Sequence, residues 1–332
     1  MEQRYRRSLE LRLLKGTSRC AQLDNFIMHT QRLPPGIRLL IRSLASLALG
    51  GVKALTTHLV STILNTAVGN LLPPDSALKL LRSRTFYGSE TYGSSSTCMK
   101  VHGVLDAGPE FRLTRYLLRF LRDDEVFYDV GAHVGFYTLL ASYILRSGRV
   151  YGFEPNQYVY RALKANIIGI SNAAAYPYAV SDRVGAIELK IPAISNASTG
   201  FTVLSSLRAV HEAEFKIEDK NVRKIAVPSI TIDFFVSRVG DPPTFIKIDV
   251  EGSEDLVVRG AIETLKRHHP KIAMEIWRIP GETPHKRAAE TLYRLGYRSY
   301  AITGKGDLIE VDFQKARSEY QLGFFDNIIF LY

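Results

Sequence analysis

Apolar positions in the second two thirds of the chain follow a regular rhythm. "EVFYDV" (125–130), "RVYGFE" (149–154), "AAYPYAV" (174–180), "TFIKIDV" (244–250) and "KIAMEI" (271–276) are short apolar or β-branched runs. Helix-patterned stretches at 136–147, 156–168, 253–267 and 283–295 separate most of them, and "EFRLTRYLLRFLRD" (110–123) predicts a helix just before the first. Strands alternating with helices of this length imply right-handed βαβ crossovers and a mostly parallel sheet covered on both faces. The expected product is an open, doubly wound α/β domain whose ligand lies at the carboxyl ends of the strands, near the switch in strand order. Residues 185–230 interrupt the rhythm and read as an insertion close to that site.

The first third has a different character. Residues 1–122 carry 18 of the 43 Lys and Arg against 7 of the 33 Asp and Glu, a net +11, which leaves 25 against 26 for the remainder. That asymmetry predicts a basic, helical extension over residues 1–110 on a near-neutral body over 111–332, with anionic lipid, nucleic acid or a targeting receptor as the usual partners of such an arm. Residues 54–74 lack Asp, Glu, Lys and Arg, but Thr57, Ser61 and Asn65 fall between apolar positions recurring every four residues. The pattern is an amphipathic helix rather than a membrane span, and residues 33–72 are the stretch suited to peripheral membrane contact. No secretory signal is visible at the start, since Arg12 and Lys15 break the leucines. Two cysteines, Cys20 and Cys98, are too few for a disulfide framework. A cytoplasmic protein, membrane-associated or organelle-targeted in the variants that the arm leaves open, is the expectation.

Three stretches carry candidate chemistry. In "FYDVGAHVGFYTLL" (127–140) an apolar strand ends in Asp129, and Gly131 and Gly135, with His133 between them, form the turn into a helix. The spacing departs from the dinucleotide fingerprint G-x-G-x-x-G, and a carboxylate beside the turn would repel a pyrophosphate. It suits a cofactor bearing a sulfonium or amine, the charge pattern of S-adenosylmethionine. Glu154 ends the next strand, 19 residues after Gly135, where a carboxylate can accept hydrogen bonds from both ribose hydroxyls of a nucleoside cofactor. Ser181 and Asp182, in "AVSD", stand where an adenine edge could be held, although a local turn explains Asp182 equally well. In "FIKIDVEGSEDLVVRGAIETL" (245–265) strand alternation places Lys247, Asp249 and Glu251 on one face, so that Asp249 and Glu251 flank the strand tip, unless Lys247 and Asp249 simply pair internally. Glu275 ends the following strand and adds a third carboxylate to the rim. No metal is the expectation, although Asp249, Glu251 and Glu275 could together hold a Mg²⁺ ion that lowers a hydroxyl pKa, the less favoured reading. Zinc is not expected, since His268 and His269 have no spaced partner ligands, and "DPPT" (241–244) reads as a turn.

Taken in order across about residues 123–280, "FYDVGAHVGFYTLL", "YGFEPN", "YAVSD", "VPSITIDFFV" and "FIKIDVEGSEDLVVRGA" followed by "PKIAMEIW" resemble the FkbM family of S-adenosylmethionine-dependent methyltransferases. The resemblance implies a Rossmann-like, seven-stranded class I methyltransferase sheet, S-adenosylmethionine as methyl donor, and O-methylation of hydroxyls on sugars or secondary metabolites. It places Asp129, Gly131, Gly135 and Glu154 around the cofactor, and Asp249 and Glu251 on the reaction side. Asp249 is the first candidate for a base toward the acceptor hydroxyl, with Glu251 second and Glu275 beside them. Two other readings stay open: a nicotinamide-dependent oxidoreductase on a related fold, disfavoured by the broken glycine fingerprint, and a nucleic-acid-modifying protein that uses the basic first third. A small-molecule or glycan acceptor is the expected partner, with nucleic acid the less favoured one.

Overall fold

The computed structural model describes residues 81–84, 90–93, 109–192, 222–277, 282–312 and 325–332. The amphipathic stretch at 54–74, the membrane-contact region at 33–72 and most of the expected insertion lie outside them. The chain divides into two compact units. Within the first, strands β1 (Leu81–Arg84) and β2 (Glu90–Gly93) pair antiparallel, so part of the stretch 87–97, whose Gly and Ser content predicts a loop, is strand.

The second unit is built around one large sheet. In chain order its described elements are α1 (Pro109–Phe120), β3 (Val126–Val130), α2 (Phe136–Ile144), β4 (Arg149–Phe153), α3 (Gln157–Asn166), β5 (Ala173–Tyr176), β6 (Ala179–Val180), β7 (Gly185–Pro192) and β8 (Val222–Ile230). There follow α4 (Ile232–Val239), β9 (Phe245–Ile248), α5 (Glu254–Arg259), α6 (Ile262–His268), β10 (Lys271–Trp277), α7 (Pro284–Arg294), β11 (Arg298–Ile302), β12 (Leu308–Glu310) and β13 (Phe325–Leu331). The strand order is β12-β11-β13-β10-β9-β3-β4-β5. β5, β4, β3, β9 and β10 run parallel, β13 lies antiparallel between β10 and β11, and the three-residue β12 extends the seven expected strands at one edge. The order reverses direction between β3 and β9, which is the crevice where a doubly wound sheet takes its ligand.

Packing explains why these runs become strands. Phe127, Tyr128 and Val130 on β3 and Ile246 and Ile248 on β9 are all buried, since helices cover both faces of the sheet. On one face α4 inserts Phe235, 3% exposed, among the rings of Tyr128, Tyr151, Phe153 and Tyr176 at centroid distances of 4.9 to 5.5 Å. Thr231 caps α4 by accepting the Phe234 N–H at 3.0 Å, and Gly240, with φ 71°, closes its other end.

Two expected elements are divided in the structure, each for a visible reason. Residues 174–180 form β5 in the large sheet and then β6, which leaves it to pair with β8 beside β7 in a separate three-stranded sheet. The helix expected over 253–267 breaks after Arg259. A Cβ on Gly260 would stand 2.0 Å from the Ser181 carbonyl oxygen, so only glycine admits that approach. Asp233 of α4 then accepts the Glu263 and Thr264 N–H groups at 3.2 and 2.8 Å, starting α6 as a new helix.

Candidate active site

The register of the parallel strands composes the site. Asp129 lies opposite Gly152 and Lys247, Lys247 opposite Ala273, and Glu275 opposite Asn327. Side chains alternate faces along a strand, so one step of two residues toward the carboxyl ends brings Glu154, Gly131, Asp249, Glu275 and Asn327 into a row on the same face. Gly131 is the gap in that row. Its φ is 79°, and a Cβ there would sit 1.7 Å from the Asp249 carbonyl oxygen, so the strand tips close together only because this position has no side chain. Gly135 (φ 93°) answers to packing too, as a Cβ would stand 2.6 Å from Leu163 of α3. Both glycines are thus required by the protein's own chain, whatever the turn holds.

Glu154 is buried at the tip of β4. Its two carboxylate oxygens accept the backbone N–H groups of His133 at 3.0 Å and Asn156 at 2.8 Å, so the left-handed His133 (φ 52°) contributes its amide to this corner. Burial raises the Glu154 pKa to about 7; the two N–H bonds pull it down, and the neighbouring charges, Asp129 and Asp249, are both acidic and push it further up. A carboxylate has about four acceptor sites, and two remain here. A buried carboxylate with spare acceptor sites and acidic neighbours fits a ligand that brings hydroxyl donors and positive charge, as the ribose and sulfonium of S-adenosylmethionine do.

Asp129, 1% exposed, sits one row deeper. It accepts the Thr138 hydroxyl at 2.6 Å and faces the Lys247 ammonium at 3.9 Å. Burial raises its pKa more than Lys247 and Thr138 lower it. Lys247 stands over the Tyr137 ring at 4.9 Å and donates to Asp249 at 2.9 Å, so the internal ion pair exists and coexists with the rim. Burial would raise the pKa of Asp249, 20% exposed, but the Lys247 charge, its hydrogen bond and a bond from Glu275 outweigh that, and the group stays below the usual carboxylate range. Asp249, Glu251 and Glu275 offer oxygens within 4.8 Å of one another. Hard cations take such oxygen sets, and of the three carboxylates Asp249 is paired with Lys247.

Of the residues singled out from sequence, the structure brings Asp129, Gly131, His133, Glu154, Asp249, Glu251 and Glu275 to one end of the sheet. Glu154 and Asp249 lie on the same face of the sheet, close enough for the Asp249 charge to bear on Glu154. Ser181 and Asp182 follow β6: Ser181 is buried against α5's end, and Asp182 pairs with Arg259 at 3.0 Å and Arg183 at 3.9 Å. Three residues were not anticipated. Asn327 is 1% exposed beside Glu275, and among the described residues its amide has no hydrogen-bond partner. Glu254 and His285, both buried, lie 3.0 Å apart behind the rim. The capping pattern marks Glu254 only as a favourable helix start, and nothing in the spacing links it to a histidine 31 positions on.

Comparison with known proteins identifies a family. The methyltransferase FkbM domain matches residues 129–299, just over half of the 332. Among solved structures, a methyltransferase FkbM from Methylobacillus flagellatus is 16% identical at a TM-score of 0.41, covering 82% of this chain and 60% of its own, so the chain spans less than two thirds of that relative. A putative transferase from Pyrococcus horikoshii is 12% identical at a TM-score of 0.41, with 83% and 82% covered. Aeropyrum pernix fibrillarin, solved with S-adenosylmethionine, is 16% identical at 0.36, with 67% and 74% covered. Among curated proteins no sequence matches.

Proposed function

The chain belongs to the FkbM family of S-adenosylmethionine-dependent methyltransferases, and on that premise we propose that it methylates a hydroxyl of a sugar or other secondary metabolite. The observation that supports the reading most is the row at the strand tips. A buried carboxylate suited to ribose, Glu154, is followed across the glycine gap by an ionised one, Asp249, one strand further on. When bound, S-adenosylmethionine supplies a methyl carbon already activated by its sulfonium.

The protein's part is alignment and proton handling. Glu154 accepts the ribose hydroxyls, and the His133 and Asn156 amides fix its carboxylate. Asp249 accepts the hydrogen bond of the acceptor hydroxyl and takes its proton as the new carbon–oxygen bond forms and the carbon–sulfur bond breaks, which leaves a neutral thioether. Its lowered pKa is compatible with that role, because the oxygen loses its proton while it is gaining the methyl group and becoming a far stronger acid than a carboxylic acid. Lys247 keeps Asp249 ionised and fixes its orientation. Glu251 and Glu275 border the acceptor side, and Asp129 steadies Lys247 and Thr138 from below. Ser181 and Asp182 are proposed for the adenine edge only through their place after β6. The acceptor is a small molecule or glycan, and peripheral membrane contact through residues 33–72 remains part of the proposal.

The test is a screen of hydroxylated acceptors for the mass gain of one methyl, run with S-adenosylmethionine. Asp249→Asn, which keeps shape and removes the base, lowers kcat on any acceptor found by roughly 100-fold or more. Near-normal turnover by that variant refutes the assignment.

A further inference from the structure

Immediately behind the rim the backbone is held in a conformation that needs support. Glu251 and Gly252 follow one another with φ of 54° and 94°. Glycine adopts the left-handed region freely, whereas a residue with a side chain there costs of order 1–3 kcal/mol and persists only where its surroundings hold it. The Gly252 N–H donates at 3.1 Å to Oε1 of Glu254, which is wholly buried in the first turn of α5. The other oxygen of Glu254 lies 3.0 Å from Nδ1 of His285, 1% exposed in the first turn of α7. A second ion pair, Arg287 to Asp255 at 3.0 Å, ties the same two helices.

We propose that Glu254 and His285 form a positioning pair that clamps the strained Glu251–Gly252 turn from behind and so aims the Glu251 carboxylate at the rim. The proposal rests on the methyl-transfer reading only in taking the rim as the reaction side; the clamp stands on geometry. A carboxylate buried at Glu254 needs a positive partner, and an imidazole in the first turn of a helix is an unfavourable place to find one, since burial and the helix dipole both oppose its charge. The groups facing His285 decide the balance. From α5 comes Glu254, with Asp255 already engaged by Arg287; from the turn come Glu251 and Asp249. On α7 itself Lys286 is taken by Glu282, and on β10 Glu275 reaches the group through Asp249. Burial lowers the His285 pKa, but Glu254, then Glu251 and Asp249, outweigh it and carry it above the ordinary 6.5.

The test uses the full chain without any acceptor. In histidine-15N spectra His285 is expected to titrate above 6.5, to drop below that value in Glu254→Gln, and to move down by a smaller step in Glu251→Gln. Amide exchange at Gly252 is expected to be slow in the wild type and at least about tenfold faster in His285→Leu, with His285→Gln, whose amide still donates to Glu254, restoring most of the protection. A wild-type His285 that is neutral at pH 6, or Gly252 exchange unchanged in His285→Leu, overturns the proposal; the wild-type titration decides it even if that variant fails to fold. S-adenosylmethionine affinity read on the same samples separates the two readings: protection at Gly252 without cofactor binding sinks methyl transfer and supports the clamp.

Discussion

The raised pKa of Glu154 makes cofactor binding depend on pH in a way that can be worked out beforehand. The carboxyl titrates near 7 in the folded protein against an ordinary 4.5. Because the folded state holds the proton more tightly, this group's contribution to stability is complete below about 4.5 and fades as pH rises to about 7, a loss of about 3 kcal/mol at most. Ribose hydroxyls donate to the ionised form, so binding S-adenosylmethionine requires the proton to leave. With a free-state value near 7, the ionised fraction falls from about nine tenths at pH 8 to about one tenth at pH 6, and Kd rises roughly tenfold across that range. Isothermal titration at half-unit pH steps measures it. Glu154→Gln keeps the size but cannot ionise, and its NH2 replaces one of the two oxygens that accept the His133 and Asn156 N–H groups; it binds roughly 10- to 100-fold more weakly at pH 8, with the tenfold slope removed, while every other titrating group remains in place. A wild-type Kd constant within about twofold, or an equal slope in Glu154→Gln, would refute the ribose assignment.

Two further outcomes check the scaffold beneath the site. Gly131→Ala combines a left-handed φ with a Cβ 1.7 Å from the Asp249 carbonyl oxygen, so urea unfolding should show a loss of about 3 kcal/mol or more, and cofactor binding should fail with it. Phe235→Ala empties the centre of a four-ring cluster and should cost about 3–5 kcal/mol in the same assay. Since Phe235 lies on α4, away from the row, the folded fraction of that variant should bind S-adenosylmethionine with unchanged affinity.

Much of the sheet was legible because parallel strands buried on both faces leave largely apolar runs, as in Val126–Val130 and Phe245–Ile248, each interrupted by one charged residue, Asp129 and Lys247. The helix expected over 253–267 was read as one because periodicity does not report Gly260, whose role depends on a carbonyl from Ser181, nor Asp233, a cap arriving from another helix. The last strand departs from the alternation that revealed the others: β13 runs antiparallel between β10 and β11, and Asn327 therefore went unnoticed beside Glu275. At the site, every rim acid sits in a strand-plus-turn pattern that sequence shows directly. Glu254 and His285 meet only through the packing of α5 on α7, and neither carries a local signature of the other.

The distribution of charge across the row follows from a single lysine placed off-centre. Lys247 is 2.9 Å from Asp249 and 3.9 Å from Asp129, a difference of 1.0 Å, and the two aspartates respond in opposite directions. The nearer one, at the mouth, is kept ionised; the deeper one, shut away from solvent, is raised by its burial. Environments that drive paired acids apart assign them different tasks. The rim therefore carries Asp249, ionised against Lys247, and Glu154, whose ionisation is opposed by its burial and by the Asp129 and Asp249 charges. An anionic pyrophosphate would oppose the ionisation of Glu154 further. Under the proposed function, a sulfonium nucleoside, which brings hydroxyl donors and positive charge, would favour the ionised form of Glu154, and that is the physical ground on which the row is proposed to take a methyl donor rather than a dinucleotide.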